Sequence, residues 1–160
     1  MNSAYLIKQD QQFQEWISLR QLLLRAYCQL SRCTTKAATK PSQKNVEAFC
    51  QLLIDYASFG HFCIYERLVN MLNSVGAVDQ HIDELLSELK DTTKMLLDFN
   101  DLHETDHYLV EEARYTRLLS KVGEVIAERL DLEDNLVASA NVAPLHVIKK
   151  KMPARALMYA

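Results

Sequence analysis

The chain is 160 residues long, contains only three glycines and three prolines, and carries a formal charge of −3. This length suits a single domain, and the scarcity of glycine and proline beside abundant Leu, Glu, Gln, Lys and Ala predicts an all-α fold. A small negative charge argues against direct nucleic-acid binding, because phosphate neutralisation requires a positive surface. No apolar stretch approaches the ~20 residues of a membrane span, and the first helical pattern carries no cleavable signal. We therefore expect a cytoplasmic protein without membrane contact.

The first predicted helix runs from about Tyr5 to Ser31. Its apolar positions alternate at spacings of three and four residues, which is typical of a helix in a bundle; they are Trp16, Leu19, Leu23, Ala26 and Leu30. A polar loop over residues 34–42 follows, and Ser42 is placed to cap the next helix.

The second predicted helix has an apolar face and an unusual opposite face. The apolar face consists of Val46, Phe49, Cys50, Leu53 and Ala57. The opposite face carries Gln51, Asp55, Ser58 and Phe59. In a helix interior, a glycine such as Gly60 lowers the stability of the helix by up to about 1 kcal/mol relative to Ala. We therefore predict that the helix is bent or broken there. A second stripe then begins, with His61 expected on its apolar face as a hydrogen-bonded residue, together with Ile64, Tyr65 and Leu68.

Two further helices complete the predicted bundle. Gly76 is expected to be a left-handed cap or loop residue. Asp79 then starts a helix whose apolar pattern fails near residues 100–101. Thr105 or Asp106 is the expected N-cap of the last helix. The last helix carries the longest stripe, formed by Tyr115, Leu118, Val122, Val125, Arg129, Leu132 and Leu136.

Arg129 is the one charged member of that stripe. A buried, unpaired charge is very costly, so Arg129 needs an acceptor, and the candidates are Glu66, Glu128 and Glu133. Either an internal ion pair that fixes register or a binding role would explain it.

Together these elements predict an up-and-down antiparallel four-helix bundle over residues 1–143, followed by a basic tail over residues 144–160. The tail has no apolar stripe of its own, and we expect it to be mobile.

Two long segments resemble the Rsd/AlgQ family of bacterial anti-sigma factors. The first is FCQLLIDYASFGHFCIYE over residues 49–66, and the second is LLSKVGEVIAERLDLEDNL over residues 118–136. A weaker match comprises Glu15 and Trp16, then Leu19 and Arg20, then residues 23–27. The matches follow the family's order over most of residues 13–137.

The resemblance implies a protein that binds the C-terminal region of the primary sigma factor, which reads the promoter −35 element, and that competes with core RNA polymerase and DNA for it. It implies no enzyme activity and no cofactor. A basic DNA-reading surface should be attracted to an acidic helical surface. The expected contact residues are Asp55 as a charge partner, Ser58, Phe59, Phe62, Tyr65 and Glu66 around it, and Trp16 and Arg20 on the first helix. The family usually has a small residue where this chain has Phe59, and Cys63 stands at a variable position, so the local shape of the site can differ.

Two other functions are compatible with the sequence alone. One is a cytosolic helical adaptor for another regulatory protein, such as a phosphocarrier or a nucleotide-signalling enzyme. The other is a zinc hydrolase, because His103-Glu104-Thr105-Asp106-His107 matches H-E-x-x-H by letter. That motif requires one continuous helix, whereas here the apolar stripe is interrupted. The four cysteines form no C-x-x-C pair, so free thiols are expected, with Cys50 in the core.

Overall fold

The computed structural model describes residues 10–36, 41–106 and 112–151, and the side chains of residues 10–32, 41–102 and 113–141. The described chain is helical throughout, apart from short turns and connections, and contains no strand. Its elements are α1 (Gln11–Lys36), α2 (Gln43–Phe59), a π-helical segment (Gly60–Tyr65, the π segment), α3 (Glu66–Ser74), α4 (Gln80–Asp106) and α5 (Glu112–Lys151). The all-α prediction is confirmed.

Side-chain caps fix where three of the helices begin. The Asp10 carboxylate accepts hydrogen bonds from the backbone N–H groups of Gln12 (2.9 Å) and Phe13 (3.3 Å), so α1 begins at Gln11. The predicted start at Tyr5 lies outside the described residues. Ser42 caps α2 as predicted, by accepting from the Asn45 N–H, and Asp79 does the same for α4 by accepting from the Ile82 N–H at 3.1 Å.

Several helix ends differ from the sequence predictions. α1 continues to Lys36 rather than ending at Ser31, and α4 continues to Asp106 rather than ending near residues 100–101. Thr105 and Asp106 lie inside α4 and do not cap α5, which begins at Glu112. In both cases polar residues continue a helix for one or two turns beyond its apolar stripe. Gly76 adopts a left-handed backbone with φ of 64°, as predicted.

Contacts between helices establish their directions. α1 runs antiparallel to the continuous helix formed by α2, the π segment and α3, because Trp16 contacts Tyr65 whereas Tyr27 contacts Phe49. In the same way, α1 runs antiparallel to α5, since Arg20 bonds the Leu130 carbonyl and Tyr27 bonds the Leu119 carbonyl. α4 packs against both α2 and α5. It runs antiparallel to α5, because Arg129 donates to Thr92 whereas Leu118 lines the same pocket as Leu102. The described helices therefore form a four-membered up-and-down bundle.

The irregularity predicted at Gly60 is a π-helical segment within a continuous helix. Each hydrogen bond of a π-helix spans one more residue than that of an α-helix, so the side chains beyond the segment are rotated relative to a regular helix. His61, which lies inside the segment, is exposed, and the prediction that it lies on the apolar face was wrong. Gly60, Ile64, Tyr65, Leu68 and Leu72 are buried.

One core cluster joins all the described helices. Every member of the predicted α5 stripe is buried except Leu118, which is partly buried and packs against the cluster. The backbone of α5 remains helical to Lys151, past the boundary predicted after residue 143. The division into a bundle and a mobile tail stays a prediction. Within the described residues, no helix has both the length and the apolar character needed to cross a membrane.

Candidate functional site

Four of the predicted contact residues lie exposed on the outer side of the second bundle helix. We call Asp55, Ser58, Phe62 and Glu66 the outer stripe; all four are exposed. Phe62 is the most exposed large apolar side chain among those described, at 72%. The edge of its ring meets the His61 ring, with the centroids 5.4 Å apart. A large aromatic side chain held in water between carboxylates is a feature of protein contact surfaces.

Asp55 is held in place by a neighbour one helical turn earlier. The Gln51 side-chain amide donates to the Asp55 carboxylate at 2.8 Å, a common i to i+4 pair on an exposed helix face. The Asp55 side chain is exposed to solvent, where it can meet a cation on a partner.

The structure places the other predicted contact residues differently. Tyr65 and Trp16 are only 4% and 1% exposed, so they belong to the core and not to the contact surface. Both were named as contacts in connection with the family resemblance, whereas helical spacing had placed Tyr65 on an apolar face and Trp16 in the stripe of the first helix. Phe59 is partly buried against the core. Arg20 is partly buried as well, and its guanidinium donates to the Asp134 carboxylate at 2.7 Å and to the Leu130 carbonyl at 2.9 Å.

A buried polar network lies directly behind the outer stripe, and Arg129 and Glu133 are at its centre. Both are 0% exposed, and Arg129 Nε donates to Glu133 Oε1 at 3.1 Å. This pair settles the question left open by the sequence: the acceptor of Arg129 is Glu133, one helical turn further along α5. Arg20 Nη2 lies 3.7 Å from the other carboxylate oxygen.

The remaining hydrogen-bonding positions of the pair are satisfied from two other helices. The hydroxyls of Tyr56 and Tyr65 both donate to the Glu133 carboxylate. The Arg129 guanidinium also donates to the hydroxyls of Thr92 and Thr93 on α4, at 3.0 and 2.8 Å. Buried charges are tolerated when their hydrogen-bonding capacity is used in this way, so the network ties α5 to the second helix and to α4.

Burial determines the protonation of this network. It raises the pKa of the Glu133 carboxyl, while Arg129 and the two tyrosine hydroxyls act in the opposite direction. Burial and the adjacent Glu133 carboxylate raise the pKa of Tyr56 and Tyr65 well above the usual range. Both hydroxyls therefore keep their protons at neutral pH and act as donors.

Gly60 makes room for this arrangement at the start of the π segment. A Cβ atom added there would lie 2.9 Å from the Tyr65 hydroxyl oxygen and 3.4 Å from Trp16 Nε1. The Trp16 ring in turn stacks on Tyr56, with centroids 6.2 Å apart and an interplanar angle of 5°. A residue larger than glycine would push against the tyrosine that reaches Glu133.

Sequence reasoning missed most of the partners in this network. Nothing in the sequence pattern marked Tyr56, Thr92 or Thr93 as a partner of Arg129 or Glu133. The available signal was Arg129 within an apolar stripe, which identified the need for partners without showing their positions.

The described residues do not provide a metal site. Among them, no group of three or more His, Cys, Asp or Glu side chains is placed to hold a metal ion. In the candidate zinc motif, residues 103–106 are helical, but their side chains and all of His107 lie outside the described part. Cys50 is buried as expected, Cys63 is partly buried and Cys28 is exposed, and none of the three forms a disulfide bond. The side chain of Cys33 is outside the described residues.

The described chain is thus a helical bundle with an exposed aromatic and acidic stripe on its second helix. The sequence matches the family model described as "Regulator of RNA polymerase sigma(70) subunit, Rsd/AlgQ" over residues 4–141. This chain belongs to the Rsd/AlgQ family.

Individual relatives agree with this assignment. A protein named "Regulator of sigma D" from Shigella dysenteriae serotype 1 is 32% identical over 129 residues, which cover 76% of this chain and 78% of that protein. The protein of the same name from Salmonella paratyphi B is 35% identical over 127 residues, which cover 76% of each. Neither the family nor these relatives support the adaptor or the zinc hydrolase as an alternative.

Proposed function

We propose that this protein is an anti-sigma factor that binds the C-terminal, promoter −35-reading region of the primary sigma factor and thereby withdraws it from transcription. Membership of the Rsd/AlgQ family over residues 4–141 carries this proposal. The names of the relatives, "Regulator of sigma D", likewise refer to a sigma factor.

The outer stripe is the surface that we assign to sigma binding. Phe62 would insert into an apolar recess of the partner, and Asp55 and Glu66 on either side would meet basic residues. A sigma region that contacts DNA phosphates must present cations, because most protein–DNA hydrogen bonds go to the backbone. Occupying that surface would block the phosphate contacts without any chemical step.

The proposed mechanism needs neither catalysis nor a cofactor. The protein would act in the cytoplasm, where RNA polymerase works, by competing with core polymerase and with DNA for one surface of the sigma factor. Because the attraction is partly electrostatic, the affinity should fall as ionic strength rises.

Calorimetric titration with the isolated C-terminal region of the primary sigma factor tests the proposal. Saturable binding near one to one is expected, with no binding to the corresponding region of an alternative sigma factor. An absence of heat at concentrations of tens of micromolar, confirmed by a second method such as analytical ultracentrifugation, would refute it.

Asp55→Lys is the variant that locates the site. Reversing this exposed charge should weaken binding at least tenfold, which corresponds to about 1.4 kcal/mol, while helicity stays unchanged. Asp131→Lys is a matched control, because Asp131 is also exposed but lies on α5, away from the outer stripe. If the two variants bind the sigma region with equal affinity, Asp55 is not part of the binding site.

A further inference from the structure

Tyr56 and Tyr65 reach the same carboxylate although a regular helix would separate them. They are nine residues apart, which is two and a half turns at 3.6 residues per turn, so in an uninterrupted α-helix they would point to opposite sides. The π segment lies between them and takes up about one extra residue. The nine residues then span only roughly two and a quarter turns, so the two side chains lie about a quarter turn apart instead of on opposite sides, and both can reach one carboxylate.

The Arg129–Glu133 pair holds both ends of the π segment. Glu133 accepts from Tyr56 before the segment and from Tyr65 at its last residue. Arg129 Nη2 lies 2.9 Å from the Tyr65 hydroxyl and 3.5 Å from the Ala57 carbonyl oxygen. Two charged side chains of α5 therefore bridge the residues on either side of the irregular turn.

The outer side of the same turn carries Phe62. Within the segment Gly60, Ile64 and Tyr65 are buried, whereas Phe62 is 72% exposed. Regular α-helical spacing would place these residues at other angles, so the direction in which Phe62 leaves the helix depends on the π turn that Tyr65 and Glu133 hold in place.

We propose that Glu133, Arg129 and Tyr65 are positioning residues for sigma binding: they keep the π segment in its wide turn and so aim Phe62 at the partner. This inference rests on the function proposed above, because it takes the outer stripe to be the sigma contact. It adds that the affinity of an exposed aromatic side chain is set by a polar network inside the bundle.

Tyr65→Phe is the direct test, since it removes one hydroxyl and keeps the ring. Tyr27→Phe is a matched control, because the Tyr27 hydroxyl donates to the Leu119 carbonyl at 3.2 Å, on the side of α1 that faces the start of α5. Amide hydrogen exchange over residues 60–65 and affinity for the isolated C-terminal region of the primary sigma factor are measured on both variants. We expect Tyr65→Phe to speed exchange in the segment at least tenfold and to weaken binding at least fivefold, and Tyr27→Phe to do neither.

Glu133→Gln provides a second variant that keeps side-chain size, and the same two changes are expected of it. Wild-type exchange over residues 60–65 in both Tyr65→Phe and Glu133→Gln would overturn the role of the network. Faster exchange with wild-type affinity would overturn its link to binding.

Phe62→Ala separates this inference from the proposed function. Wild-type affinity for Phe62→Ala would mean that the outer stripe is not the sigma contact, and it would overturn the aiming of Phe62 as well. If the unaltered protein fails to bind the sigma region, the proposed function fails, whereas the exchange measurement still decides whether the network holds the π segment.

Discussion

Replacing Arg129 with methionine removes the cation at the centre of the buried network while keeping a long, unbranched side chain. The guanidinium contacts Glu133 at 3.1 Å, Tyr65 at 2.9 Å, Thr92 at 3.0 Å and Thr93 at 2.8 Å. Methionine satisfies none of these groups. Among the described residues, Glu133, 0% exposed, would then keep only Arg20 at 3.7 Å as a positive neighbour.

The cost follows from leaving a buried carboxylate without its partner. Breaking a buried ion pair by removing one member typically destabilises a protein by about 3–5 kcal/mol. For a domain of this size each kcal/mol lowers the melting temperature by about 2–4 °C. We therefore expect Arg129→Met to melt roughly 10 °C below the unaltered protein, and to show a lower urea midpoint with an unchanged denaturant slope.

Two further variants show whether the missing charge is the cause. In Arg129→Met/Glu133→Gln the remaining buried charge is also removed, so this double variant should recover at least about 1 kcal/mol relative to Arg129→Met. Arg117→Met makes the same substitution at an exposed position of α5 and should change stability by no more than about 0.5 kcal/mol. The reasoning is refuted if Arg129→Met costs less than about 1 kcal/mol, or if the double variant is no more stable than the single one.

Two more predictions concern the packing and the titration of tyrosines. Gly123→Ala would place a Cβ atom 2.0 Å from the Tyr27 hydroxyl oxygen, so the ring must move and lose its bond to the Leu119 carbonyl. Urea unfolding should show that the free energy of unfolding falls by about 1–3 kcal/mol. A variant as stable as the parent would contradict this contact. The second prediction follows from the raised pKa of Tyr56 and Tyr65 in the folded protein. The unfolded chain loses these two protons near pH 10, whereas the folded chain keeps them. Each tyrosine therefore lowers the free energy of unfolding by about 1.4 kcal/mol for every pH unit above about 10, and its full stabilisation is present below that pH. Unfolding measured on both sides of about pH 10 should show this decline, and a decline of the same size in Tyr56→Phe/Tyr65→Phe would count against it.

The network also explains why an energetically costly group is kept inside the bundle. An apolar replacement of a buried ion pair is often neutral or stabilising, so stability alone does not require Arg129 and Glu133. Their contacts converge on Tyr65, the last residue of the π segment that also carries Phe62. The contact role that we propose for the outer stripe would supply a reason for the pair that the stability of the core does not.

Local sequence patterns were sufficient to predict the helices and much of the core. The stripe of α5 and the exposure of Asp55 and Ser58 follow from a period of 3.6 residues, which depends only on neighbours along the chain. The Ser42 cap and the left-handed Gly76 were also predicted, because their backbone requirements are local. Where polar residues extended α1 and α4 beyond their apolar stripes, periodicity gave no signal and the predicted ends were too early.

The sequence by itself determined the four-helix architecture, the family resemblance and the need of Arg129 for a partner. Only the tertiary structure decided that Glu133 is that partner and that the irregularity at Gly60 is a π turn. It likewise decided that His61, expected on the same apolar face as Tyr65, is exposed while Tyr65 is buried. The physical reason is that a π turn at Gly60–Tyr65 is stabilised by side chains more than 60 residues away in the sequence, so the register of this helix is set by contacts that no local pattern contains.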